Sequence, residues 1–234
     1  MNKKWLAGPY LVWMVGFIVI PLLLIVYYGL TDKSGAFTLA NVLSISTPEH
    51  VKALYLSLGL SLVSTVICLL LAYPLAMILR NRGIGQGSFI VFIFILPMWM
   101  NFLLRTLAWQ TLLEKSGVIN GILSAMHLPN QNLINTPGAI VLGMVYNFLP
   151  FMVLPIYNVL CKIDDNTINA ARDLGASFTQ TLLWVWLPLS VPGIISGITM
   201  VFVPSLTTFV ISNLLGGSKI LLIGNVIEQE FTKG

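Results

Sequence analysis

The sequence predicts an all-α integral membrane protein, a polytopic helical bundle of about five transmembrane helices. The first observation is a shortage of charge. The 234 residues are 57% hydrophobic and 9% charged, with mean hydropathy +0.91. A soluble domain carries roughly 25% charged residues. So little charge cannot cover a water-facing surface, and the apolar residues must face lipid as well as each other. The second observation is that the apolar residues come in continuous runs of about 20, not in alternation, which excludes a closed β-barrel. The third is that the net charge of +4 is scattered. Without a basic stripe it argues against a nucleic-acid partner and for membrane orientation signals.

The first run, residues 5–30, follows Asn2-Lys3-Lys4 and has the outline of a signal peptide. It measures about 39 Å as a helix. A secretory apolar core is shorter and ends at a small-residue cleavage site, so an uncleaved first span is expected. The next spans are 54–79, 88–113 and 139–160. The fifth, 182–215, is long and interrupted by Pro188, Pro192 and Pro204. Residues 215–234, with Glu228, Glu230 and Lys233, are too polar to span. The spans are expected to form one domain over 1–234. With the N-terminus inside, Lys3, Lys4, Arg80, Arg82, Lys162 and Arg172 are cytoplasmic, and Lys33, Lys52, Lys115, Lys219 and Lys233 lie opposite. Every arginine outside a span is then cytoplasmic, as the positive-inside rule requires. Pro21, Pro74, Pro97, Pro150, Pro155, Pro192 and Pro204 fall deep in spans, as packing kinks or as hinges.

Catalytic chemistry is not expected. The histidines, His50 and His127, fall in loops, and no expected span contains Asp or Glu. No metalloprotease helix motif, nucleophile elbow or metal cluster occurs. Gly83-Ile84-Gly85-Gln86-Gly87 lacks the Lys-Ser/Thr of a phosphate loop and reads as a turn. Cys68 and Cys161 read as small buried hydrophobes, too few for a disulfide framework or a metal. The spans hold no ionisable relay for proton coupling, so any energy source is expected on another subunit. Arg105 is the one charge within a span, either snorkelling or facing a polar path. Asn101, Tyr146, Asn147, Tyr157 and Asn158 are further polar positions at depth, and helix–helix hydrogen bonding accounts for most such residues.

The loop 161–187 is the most informative segment. Asp165 or Asn166 is placed to cap a short helix. Ile168, Ala171 and Leu174 then share one side. Gly175 supplies a left-handed end, and Ser177 with Gln180 forms a capping box for a helix returning to the membrane. Small Ala170 and Ala171 would let a partner approach closely. The reading is a docking loop or an ordinary structured connection.

Here the chain resembles the permeases of ATP-binding-cassette importers. Their cytoplasmic motif runs Glu-Ala-Ala, three residues, Gly, nine residues, Ile-x-Leu-Pro. This chain has Asn169-Ala170-Ala171, Gly175 and Val185-Trp186-Leu187-Pro188 at the same spacing. Val185 is a conservative change, whereas Asn169 loses the family's charge. Leu96-Pro97-Met98-Trp99, Leu104-Arg105-Thr106-Leu107-Ala108-Trp109, Gly117-Val118-Ile119-Asn120 and Leu149-Pro150-Phe151-Met152-Val153-Leu154-Pro155 resemble spermidine/putrescine importers. The tail, from Gly216-Gly217-Ser218-Lys219 to Gly224-Asn225-Val226-Ile227, resembles the first of their two permease subunits.

The resemblance implies a type I ABC importer permease fold in a bacterial inner membrane with the N-terminus cytoplasmic. It implies a second permease, a dimer of ATP-binding-cassette ATPases that binds ATP and Mg, and an external substrate-binding protein. No cofactor is expected in this chain. Asn169, Ala170, Ala171, Asp173, Leu174, Gly175 and Pro188 become the ATPase-coupling residues. Trp99, Asn101, Arg105, Trp109, Tyr146, Asn147 and Tyr157, with carbonyls freed at Pro97 or Pro150, are the candidate path for a polycation. Its missing negative charge would come from the partner permease. The family has six core spans and five are expected here, so the sixth is expected to be missing. Rival readings are an importer for an oxyanion, iron or an opine, or a truncated permease that does not transport. A membrane-embedded enzyme is disfavoured by the lack of convergent acid–base groups.

Overall fold

In the computed structural model, which describes residues 8–32, 34–81, 96, 98–217 and 220–233, the apolar runs fold as helices. Lys3, Lys4, Lys33, residues 82–87, Lys219 and the first part of the expected 88–113 span, Pro97 included, lie outside the described residues. Four described helices are long and apolar enough to cross a membrane: α1 (Gly8–Gly29), α3 (Pro48–Asn81), α6 (Pro137–Leu160) and α8 (Phe178–Thr207). Between them lie α2 (Ala40–Leu43), α4 (Phe102–Leu113), α5 (Val118–Ala125) and α7 (Asp165–Asp173), and α9 (Ile223–Lys233) closes the order. The chain divides into two compact units, residues 1–52 and 53–234.

The first unit is held by local bonds. The chain after α1 turns back through a bridge between Thr31 and Phe37. The Asn41 amide then donates to the carbonyls of Tyr28 at 3.2 Å and Thr31 at 3.0 Å. Within α1, residues Val15–Val19 form a wide π-turn just before Pro21. The same arrangement recurs in α8, where Leu182–Trp186 widens ahead of Pro188. A proline ring clashes with the carbonyl four residues earlier and offers it no donor. The turn widens just ahead of the proline, where Leu187 N–H donates to the Leu182 carbonyl five residues back.

The second unit is built on α3, α6 and α8. α3 has 34 residues, about 51 Å, and overruns the expected 54–79 at both ends. Its buried face is a stripe of small residues: Ala53, Ser57, Ser61, Ser64, Cys68, Ala72 and Ala76. Its exposed face carries Leu58, Leu62, Val66 and Leu70. In water this would be inverted. In lipid, where tails are as apolar as leucine, helices associate through small residues and side-chain hydrogen bonds instead. Ser64 Oγ donates to Met144 Sδ at 3.3 Å, and Tyr73 bonds Ser190 at 3.1 Å. α6 is the most buried helix, opened by Thr136, whose hydroxyl accepts from Ala139 N–H at 3.1 Å.

α8 ends at Thr207, short of the expected 215, because Thr208 turns to an extended conformation after Pro204. The chain resumes as a wide turn at Ser212–Gly216. Asn225, 1% exposed, seals this break. Its amide donates to the Phe209 carbonyl at 3.3 Å and to Asn213 Oδ1 at 2.6 Å. Its Oδ1 accepts from Leu222 N–H at 3.0 Å and Ser212 Oγ at 2.6 Å. The 11 residues of α9 are too few to cross a bilayer.

Candidate functional site

The loop between α6 and α8 folds as a corner. Asp164, not Asp165 or Asn166, is the N-cap of α7, and its carboxylate accepts from Asn166 N–H at 2.9 Å. Ile168 turns into the core at 3% exposure, while Leu174 is 89% exposed. The expected shared side for Ile168 and Leu174 is therefore corrected. Leu174 lies one residue past the helix, where the backbone is already leaving it for a left-handed Gly175 at φ +82°. Two bonds lock that exit: Gly175 N–H to the Arg172 carbonyl at 2.8 Å and Ala176 N–H to the Ala171 carbonyl at 3.0 Å. They form a Schellman end, which satisfies carbonyls the helix would leave open. Ser177 and Gln180 make the expected capping box at the start of α8.

This corner encloses an open groove of about 350 Å³ between Ala171, Leu174 and Gly175 on one side and Gln180, Trp184 and Val185 on the other. Trp184 and Phe178 stand exposed beside it. Asn169, Ala170, Asp173 and Pro188 are also exposed, and Ala171 is half-buried. Of the candidate coupling residues, Ala171, Leu174 and Gly175 line the groove, and Asn169, Ala170, Asp173 and Pro188 are exposed without lining it.

A residue not singled out from the sequence fastens the corner. Arg80, in the last turn of α3, donates through Nη2 to the Ile163 carbonyl at 3.0 Å and to the Asp165 carboxylate. Its guanidinium also stacks on Trp186, 4.6 Å from the ring centroid. The Asp165 side chain is 76% exposed, so the ion pair alone contributes about 0–1 kcal/mol. Trp186 is buried, and a desolvated cation–π contact adds about 1–2 kcal/mol. The signal available in the sequence was an arginine ending one span, an acidic residue opening the loop helix and a tryptophan inside the motif.

The candidate path residues lie along residues 99–109 and along α6. Asn101 caps α4, accepting from Leu103 N–H at 2.8 Å, and Trp99 is exposed. Trp109 meets Tyr146 edge-on at 5.4 Å, and Phe102 stacks on Phe148 at 6.5 Å. Arg105 lies between these contacts along α4, 7% exposed, with Nε and Nη1 unpartnered. Asn147 is buried and donates to the Gly143 carbonyl of its own helix at 2.9 Å, while its Oδ1 has no partner. Tyr157 is buried three turns further along α6, about 16 Å from Tyr146. Among the described residues no group of His, Cys, Asp and Glu could hold a metal ion.

Residues 61–231 match the family model described as "Binding-protein-dependent transport system inner membrane component". The chain is 37% identical over 227 residues to the spermidine/putrescine transport system permease protein PotB of Escherichia coli K12, covering 94% of this chain and 82% of that one. It is 36% identical to the PotB of Haemophilus influenzae, over 94% of this chain and 79% of the relative. In fold it is similar to a chain of a bacterial alginate ABC transporter crystallised with an alginate-bound periplasmic protein. That match has TM-score 0.75 at 18% identity and covers 100% of this chain and 85% of the other.

Proposed function

Because the chain belongs to the family of binding-protein-dependent transport system inner membrane components, we propose that it is the first permease subunit of an ATP-driven polyamine importer. Its substrates in this reading are spermidine and putrescine, the substrates printed in the names of relatives 36–37% identical to it. It works with a second permease, an ATPase dimer that binds ATP and Mg, and an external binding protein. It spans a bacterial inner membrane with its N-terminus in the cytoplasm. The chain itself performs no catalysis.

The observation that carries the reading is the corner of α7, Gly175 and α8. It presents an exposed short helix and an open apolar groove on a chain whose other large exposed apolar faces suit lipid. α7 docks on one ATPase, and closure of the ATPases moves it. The bundle then changes between outward-open and inward-open arrangements, a rigid-body transition biased by nucleotide. Trp99 and the Trp109–Tyr146 pair offer aromatic faces to a polycation, and the second permease supplies carboxylates.

Uptake of labelled spermidine tests this in cells with the chain, without it, and with Gly175→Asp. Loss of uptake on deletion and in the variant supports a coupled polyamine permease. Undiminished uptake in both overturns it. Competition by an oxyanion or an iron chelate, but not by putrescine, would redirect the substrate reading while leaving the machine intact.

A further inference from the structure

We propose that Arg80 is the positioning residue that ties α7 to the membrane bundle, passing its motion to α3 and α8 through one guanidinium. The inference rests on reading α7 as the ATPase-docking helix. Four parts of the chain meet at this side chain. Arg80 itself ends α3, Ile163 is the joint between α6 and α7, Asp165 opens α7, and Trp186 closes the wide turn of α8.

Without Arg80, α7 keeps its two covalent connections, the buried Ile168 and the two bonds that close its C-terminal end. Those bonds fix the turn at Gly175 to the end of α7 itself and not to the bundle. A helix held in this way would tilt under load without displacing the bundle. Arg80 removes that freedom at the N-terminal end. A planar guanidinium can donate in its plane while it stacks on a ring below, which an ammonium cannot do in one position. The side chain is 14% exposed, so the contact is enclosed on most sides. α3, α6 and α8 also share the packed core, and a push on Asp165 therefore reaches all three.

The test uses the complete importer in proteoliposomes. Spermidine uptake and ATP hydrolysis are measured together, and contact between α7 and the ATPase is followed by crosslinking from Leu174→Cys. For Arg80→Met the expected result is retained crosslinking, with uptake falling about 10-fold more than hydrolysis. Arg80→Lys should recover part of that ratio, since it keeps the charge and loses the fork. Asp165→Asn should lower it less than Arg80→Met, since the acceptor oxygen remains. An unchanged ratio in Arg80→Met overturns the proposal. So does a parallel loss of uptake, hydrolysis and crosslinking, because Arg80 would then only support the fold. If the unsubstituted importer fails to crosslink from residue 174, the docking reading of α7 fails first and takes this inference with it.

Discussion

Gly193 of α8 stands so close to Pro155 of α6 that a β-carbon at 193 would meet the Pro155 carbonyl oxygen at 2.9 Å. Val159 Cβ would lie 3.0 Å away. The oxygen belongs to the backbone and cannot swing aside. Gly193→Ala is therefore expected to destabilise the subunit by about 1–3 kcal/mol, the range for overpacking. Gly59→Ala, on the same bundle with nothing within 4 Å of the added carbon, should be neutral or stabilising by up to about 1 kcal/mol. Thermal midpoints of the two variants in the purified importer separate these outcomes.

Gly175 has open space around it and fails a different test, since its φ of +82° is strained for a residue with a side chain. Gly175→Ala should cost about 1–2 kcal/mol, and Gly175→Asn less, because asparagine tolerates the left-handed region. Spermidine uptake should follow the order Gly, Asn, Ala.

The surface of the corner can be mapped by cysteine crosslinking. Cys161 is exposed and Cys68 buried, so Cys161→Ser provides the background. Leu174→Cys and Ala171→Cys are expected to crosslink to the ATPase, and Ile168→Cys, facing the core, is not. Failure at every position in 165–185 would remove the docking reading.

Asn225 holds four partners at the break after α8. Asn225→Leu leaves the buried Leu222 N–H without its acceptor, while the Ser212 hydroxyl keeps the Phe209 carbonyl, and should cost about 1–3 kcal/mol. Asn225→Asp keeps both acceptor contacts and loses the two donations, so its thermal midpoint should fall between those of the parent and the leucine variant.

Arg105 offers a test of opposite sign. The chain's acidic residues are Asp32, Glu49, Glu114, Asp164, Asp165, Asp173, Glu228 and Glu230, and the one ion pair among the described residues joins Arg80 to Asp165. A buried cation without a counter-charge carries an uncompensated desolvation cost, which a hydrophobe of similar size removes. Arg105→Met is expected to raise the thermal midpoint of the subunit purified alone in detergent. A fall would mean that Arg105 finds its stabilising partner within this chain.

What was legible in the sequence follows from how local each signal is. The capping box at Ser177 and Gln180 and the left-handed Gly175 are set by neighbours within a turn, and both were readable from residue type and spacing. The end of α8 at Thr207 was not, because it depends on Asn225 folding back to satisfy the exposed backbone around Phe209. Arg80 was read only as a charge that orients a loop. Its partners Asp165 and Trp186 are remote in the chain and meet it only once three helices have packed. The surroundings of the candidate path residues have the same origin: polarity at depth marks Asn147 and Arg105 alike, and only packing shows that each is buried with polar atoms left without a partner.

The wide turn ahead of Pro188 bears on how the family's spacing can change in evolution. A π-turn absorbs one more residue than an α-turn while the flanking helices keep their rotational phase. Losing one residue among 182–186 would tighten the turn and leave the faces of α8 pointing as before. Losing one anywhere in residues 190–196 would rotate everything beyond it by about 100°, carrying Gly197 away from Met152. Single-residue gaps are thus expected to be tolerated ahead of the proline and rejected after it, which would make this short stretch the reading-frame slack of the whole helix.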